Sequence, residues 1–118
     1  MRESVAQKTA ARGSRFSRGG VHWFVLLAHP RRRAEGPTGA RGAYVSAWIA
    51  FHLREGALLL AKHYVRERGW RVRSVVDHRW FDGLRGVSPA SRRWFREARA
   101  EGACLVWHEY PSATKRPR

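Results

Sequence analysis

The chain holds a single cysteine, Cys104, in 118 residues. An intrachain disulfide is therefore excluded, and a reducing, cytoplasmic setting is expected. Long apolar runs are missing too. No stretch approaches the roughly 20 residues needed to cross a bilayer as a helix, so no membrane partner is expected. Acids are scarce, with 9 Asp and Glu against 24 Lys and Arg, and the formal net charge is +15. The short motifs that announce chemistry are also absent. No glycine-rich phosphate loop follows a strand, and Gly83 and Gly86 lack the fingerprint spacing. On the predicted helices none of the histidines (His22, His29, His52, His63, His78, His108) stands at i, i+4 spacing from a second histidine or a cysteine. His78 with Asp77 and Asp82, or His108 with Glu109, come nearest to a ligand set, but zinc sites use tighter spacing and more Cys or His. Cys104 lies between Ala103 and Leu105 without a neighbouring base, as a buried, inert thiol would. No catalytic, metal or cofactor-binding residue is expected, and an enzyme is the minority reading.

What is present is organised around residues 43–69. Ala43, Val45, Ala47, Ile49 and Phe51 are apolar at period two, which predicts a strand with that set facing a core. Tyr44, Ser46, Trp48 and Ala50 form its other face. A helix is predicted from Leu53 or Arg54. At 100° per residue, Ala57, Leu60, Ala61, Tyr64 and Val65 gather on one stripe, with Lys62, His63 and Arg66 on the far side. Gly69 then stands where a left-handed cap belongs. A second strand comes next over residues 70–80, with Trp70, Val72 and Val76 expected inward and Arg71, Arg73, Val75, Asp77 and Arg79 outward. Ser88 and Pro89 open a second helix as N-cap and first helical residue. Its apolar side carries Ala90, Trp94, Phe95 and Ala98, and Gly102 closes it. Residues 103–110 read as the last strand, with Leu105 and Trp107 inward and Cys104, Val106, His108 and Tyr110 outward.

The flanks differ in composition. Residues 1–42 carry nine bases and two acids, residues 43–110 twelve bases and seven acids, and residues 111–118 three bases and no acid. Two-thirds of the charge excess therefore lies outside the central segment. Residues 1–42 read as a largely disordered basic extension with a short apolar segment at 21–30, and residues 111–118 as a disordered basic tail. Within the extension, residues 30–42 have the Pro, Gly and Arg content of a flexible linker. A secretory signal is disfavoured, because the apolar part is short and runs into Pro30 and three arginines. The Arg-rich, acid-poor leader matches a transit peptide in composition alone. Extensions of this composition also arise from over-called gene starts, which would place the beginning of the functional unit near Ala43.

The expected fold is one compact α/β (α+β) domain over residues 43–110. It is a two-layer β-α-β-α-β sandwich with both helices on one face of a three- or four-stranded sheet. The apolar segment at 21–30 is the candidate fourth strand. This layout resembles small bacterial α/β domains of unknown function; the resemblance covers residues 43–110 and implies a fold without an activity.

The sheet face turned away from the helices is the candidate partner-binding surface. It would combine Tyr44, Trp48 and Tyr110 with Arg71, Arg73, Arg79 and His108. Aromatics that stack on bases beside Arg that meets phosphate suit a single-strand-binding sheet, although the RNA-recognition signature is absent. An apolar sheet face more commonly meets another protein layer. The expected function is a small non-enzymatic module that binds a macromolecular partner, with self-association as a homodimer as one route. The alternative is a nucleic-acid-binding accessory protein using the outer sheet face and the basic tails.

Overall fold

The computed structural model describes residues 5–10, 19–31 and 40–111. The elements occur in the order β1 (Val5–Ala10), β2 (Val21–Pro30), β3 (Ala40–Ile49), α1 (Arg54–Glu67), β4 (Trp70–Phe81), α2 (Arg92–Glu101) and β5 (Gly102–Pro111), with a 3-10 turn at Pro89–Ser91 leading into α2. The strands make a single antiparallel sheet in the order β1-β5-β3-β2-β4. The fold is mixed α+β.

Helix α1 starts at Arg54 and buries Ala57, Ala61, Tyr64 and Val65, the stripe that the 3.6-residue period predicts. Gly69 at φ 91° ends it and starts β4. At the far end of α2, Gly102 at φ 100° does the same for β5. Both positions need the left-handed backbone that glycine adopts without strain. Pro89 sits at the first position of the 3-10 turn, where its missing N–H costs nothing.

The two helices lie on opposite faces of the sheet, against the expectation that both share one. The face under α1 presents Phe24, Leu26 and Ala28 from β2, Ala43, Val45, Ala47 and Ile49 from β3, and Leu105 and Trp107 from β5. The alternate residues of the same strands, Val21, Trp23, Trp48, Cys104 and Val106, meet Phe95 and Ala98 of α2. Because neighbouring side chains on a strand point to opposite faces, these two sets define three layers. Strand β5 is buried on both faces, which is why residues 103–107 read as a continuous apolar run rather than an alternating one. Each fully buried Phe, Leu or Val contributes about 1.5–3 kcal/mol relative to exposure.

The expected boundary at Ala43 also moves. Strand β2 lies between β3 and β4, and its Phe24 and Leu26 are fully buried. The folded unit therefore includes residues 21–30, and an origin near Ala43 would remove a strand from inside the sheet. Further back, Val5–Ala10 pairs with β5 as an edge strand. The disorder expected for the remainder of residues 1–18 and for 112–118 falls outside the described residues.

Strand β4 forms the opposite edge and departs from simple alternation. Its register against β2 shifts between Val25 and Leu26 and again between Leu27 and Ala28, which leaves Val76 and Arg73 without paired positions. Each bulge flips the facing of the residues beyond it. Val72 packs on the α1 side as expected, but Val76 is exposed, and His78 and Trp80 arrive on the α1 side opposite Phe24 and His22.

Candidate functional site

The structure splits the expected outer-face residues into two groups. Tyr44 is 45% exposed and stands directly opposite His108 on β5. Its ring lies 5.8 Å from that of Tyr110. Tyr110 in turn lies over Gly42 and reaches toward His29; a Cβ at Gly42 would collide with the Tyr110 hydroxyl. Arg71 is the register partner of His29. Tyr44, His108 and Tyr110 thus form one band at the end of the sheet that α2 leaves uncovered, while Arg71, at the edge of the sheet, lines a cleft with α1 residues.

Trp48 belongs elsewhere. It is 3% exposed, packed with Phe95 under α2, and its ring sits 5.9 Å from both Trp23 and Phe81. It cannot serve as an exposed stacking platform. Cys104 and Val106 point away from α1 as expected, yet α2 buries them. Arg79 lies beside this buried cluster, with its guanidinium 5.7 Å from the Phe81 ring. Arg73 is exposed at a bulge of the edge strand.

A second assembly is not legible as a unit in the sequence. Arg31, Lys62, Arg66 and Arg71 line an open cleft of about 360 Å³ together with Val72. Lys62 and Arg66 are one helical turn apart on the exposed side of α1. Arg71 comes directly after the buried Trp70 at the start of β4. Arg31 is held at the end of β2 by its backbone N–H, which donates to the Gly69 carbonyl at 2.9 Å. Among the described residues none of the four forms an ion pair. The nearby acids are engaged elsewhere: Glu67 lies 3.3 Å from His63, and Glu109 lies 3.8 Å from Arg68. Like charges at i, i+4 cost a helix roughly 0.2–0.5 kcal/mol, so Lys62 and Arg66 weaken α1 slightly while concentrating positive potential. That spacing is the one signal of the cleft in the sequence. Arg31 reads there as part of a linker, and it joins the group only because β2 enters the sheet.

A third cluster lies at the other end of α1. His22 Nε2–H donates to the His52 carbonyl at 3.1 Å, which leaves Nδ1 to accept from His78 Nε2–H at 2.9 Å. This tautomer assignment comes from the carbonyl, which can only accept. Burial pushes the His22 imidazole below its usual range, against the His52 carbonyl, and Arg54 lowers it further. Burial lowers His78 as well, helped by His22 and Arg54 and opposed by Asp77. Trp80 packs 4.5 Å from His22. Beside it is a smaller pocket of about 160 Å³ lined by Gly19, Gly20, Ala50, Phe51, His52, Trp80 and Asp82. Among the described residues no three His, Cys, Asp or Glu side chains are grouped to hold a metal ion. No helix there is long and apolar enough to cross a membrane. Comparison with protein-family models, curated proteins and solved structures finds no match.

Proposed function

We propose that this protein is a non-enzymatic binding module for nucleic acid, which it holds by the phosphate backbone at the α1–β4 cleft. The observation that carries this reading is the convergence of Arg31, Lys62, Arg66 and Arg71 on one cleft, with no acid among the described residues paired to any of them. Cations gathered in a concave surface focus the field and attract a polyanion; each phosphate neutralised releases condensed counterions. Residues 1–42 and 111–118 together carry +10, Arg31 of the cleft included, and the rest of that charge adds to the approach of such a partner.

Self-association receives less support. Val75 and Val76 are exposed on the edge strand β4, where a second copy could add its own strand. That strand also carries Arg71, Arg73 and Arg79 and two bulges, which oppose pairing with an identical edge.

The test is binding of the full chain to a fluorescent single-stranded oligonucleotide, measured by anisotropy. The Lys62→Glu/Arg66→Glu variant should lose more than tenfold in affinity while keeping its far-ultraviolet circular dichroism. Unchanged affinity in that folded variant would remove the cleft from the function.

A further inference from the structure

The pocket beside Trp80 has walls that the backbone is shaped to hold. Phe51 and Trp80 are each 42% exposed, a large exposure for two aromatic rings beside one small cavity. Each ring rests on a glycine. Phe51 lies against Gly56 in the first turn of α1 so closely that a Cβ there would strike the ring. Trp80 lies against Gly20, where a Cβ would come within 2.9 Å of the indole and 2.5 Å of the Phe81 carbonyl oxygen. Glycine inside a helix is less favourable than alanine, so Gly56 weakens α1 while it seats Phe51. His22 backs the Trp80 ring, and the His52 carbonyl and His78 fix His22. Trp80 is thus braced behind and open toward the cavity. Asp82, itself exposed, also lines the pocket.

Its position along the molecule indicates an occupant. Helix α1 runs antiparallel to β4. Its last turns bring Lys62 and Arg66 beside Arg71 and Val72, while the pocket holds Phe51, just ahead of the helix, together with Trp80. The cationic cleft and the aromatic pocket are therefore the two ends of the same α1–β4 side. About nine strand residues separate them, roughly 30 Å at 3.3 Å per residue. Exposed Arg73 lies on β4 between them, and Arg54 starts α1 at the pocket end. The cavity is the size of one planar ring and too small for a base pair.

We infer that this pocket receives one unstacked nucleobase of a single strand whose phosphates occupy the cleft, an inference that rests on the nucleic-acid reading above. The base would stack on Trp80 and Phe51, and the Asp82 carboxylate would accept from a ring N–H or an exocyclic amine. Stacking on aromatic side chains requires a base freed from a duplex, so the pocket makes the protein prefer single strands.

The test compares a single-stranded oligonucleotide with the duplex of the same sequence on the full chain. Trp80→Ala and Phe51→Ala should each weaken single-strand binding by roughly tenfold, the scale of one lost base–aromatic stack, and leave duplex binding and the salt slope unchanged. Gly56→Ala is the companion that preserves folding. It favours the helix but displaces Phe51, and it should reproduce the single-strand loss without lowering the unfolding midpoint. If these variants bind single strands as the unaltered protein does while Lys62→Glu/Arg66→Glu still loses binding, the base pocket is wrong and the cleft stands. Equal losses for single strand and duplex in the pocket variants would likewise overturn the pocket. If neither set of variants changes binding, both readings fall together.

Discussion

His22 and His78 share one hydrogen bond of 2.9 Å across adjacent antiparallel strands, with His22 as acceptor at Nδ1 and His78 as donor at Nε2. The arrangement requires His22 to be neutral. A proton on its Nδ1 would confront the His78 N–H unless that ring changed tautomer, and Arg54 from α1 opposes added positive charge on either ring. Asp77, beside His78 on β4, is the opposing influence.

Stability should therefore fall on acidification. Both imidazoles hold protons less tightly in the folded state than the ordinary histidine value of 6.5, so the unfolded chain binds more protons once the pH drops beneath 6.5. The stabilisation is complete above 6.5 and is lost as the pH falls toward the lowered folded values. Urea denaturation across this window should show a falling midpoint, and His22→Gln/His78→Gln should flatten that fall. A midpoint that rises on acidification would contradict the neutral pair.

The core predictions separate faces within single elements. Phe95 is fully buried in the α2 layer, and Phe95→Ala should cost about 3–5 kcal/mol. Leu59, 67% exposed on α1, should be near neutral as Leu59→Ala. Leu60 is partly buried against the α1 core, so Leu60→Ala should fall between these two. Chemical denaturation midpoints check the order, and a large cost at Leu59 would mean that the α1 face is misassigned.

Much of this architecture is legible from short-range pattern. The apolar stripe of α1, the caps at Gly69 and Gly102 and four of the five residues expected inward on β3 (Ala43, Val45, Ala47 and Ile49) arise from local pattern, and the structure shows them; Phe51, the fifth, lies past the end of β3 and is 42% exposed. The position of α2 is not legible. Trp48 and Val106 sit on strand faces that could meet a helix, a second copy or a ligand, and one sequence does not say which. Strand β4 departs from expectation for a different reason: two bulges reset an alternation that reads straight through Arg73 and Val76. The cleft is hidden because its cations come from the ends of β2, α1 and β4, which only the strand order brings together.

The burial of Trp48 changes what its substitution should do. The side chain fills the layer between β3 and α2, so Trp48→Ala should destabilise the fold by about 3–5 kcal/mol. The milder Trp48→Phe should fold and bind a single-stranded oligonucleotide with unchanged affinity, because the ring does not reach the surface. A tenfold loss in folded Trp48→Phe would show that the α2 side of the sheet contacts nucleic acid.

The salt dependence of binding distinguishes a site from diffuse attraction. In a single strand each phosphate contact adds about 0.7 to the magnitude of the slope of log K against log salt. Removing Arg31, Lys62, Arg66 or Arg71 singly, as alanine variants of the full chain, should each lower that magnitude by about this amount. Arg92 and Arg96 are the matched controls. They are exposed and carry the same charge, but they lie on α2, across the sheet from the cleft. Arg92→Ala and Arg96→Ala should leave the slope nearly unchanged, since charges beyond roughly a Debye length of ~10 Å are largely screened at ordinary ionic strength. Because the flanks hold two-thirds of the net charge, the absolute slope will exceed what the cleft alone supplies. The contrast between the two sets does not depend on that background, as every variant retains it. If alanine at Arg92 or Arg96 lowers the slope as much as alanine at Lys62 or Arg66, the polyanion is attracted by net charge from every side, and the α1–β4 cleft has no special claim to it.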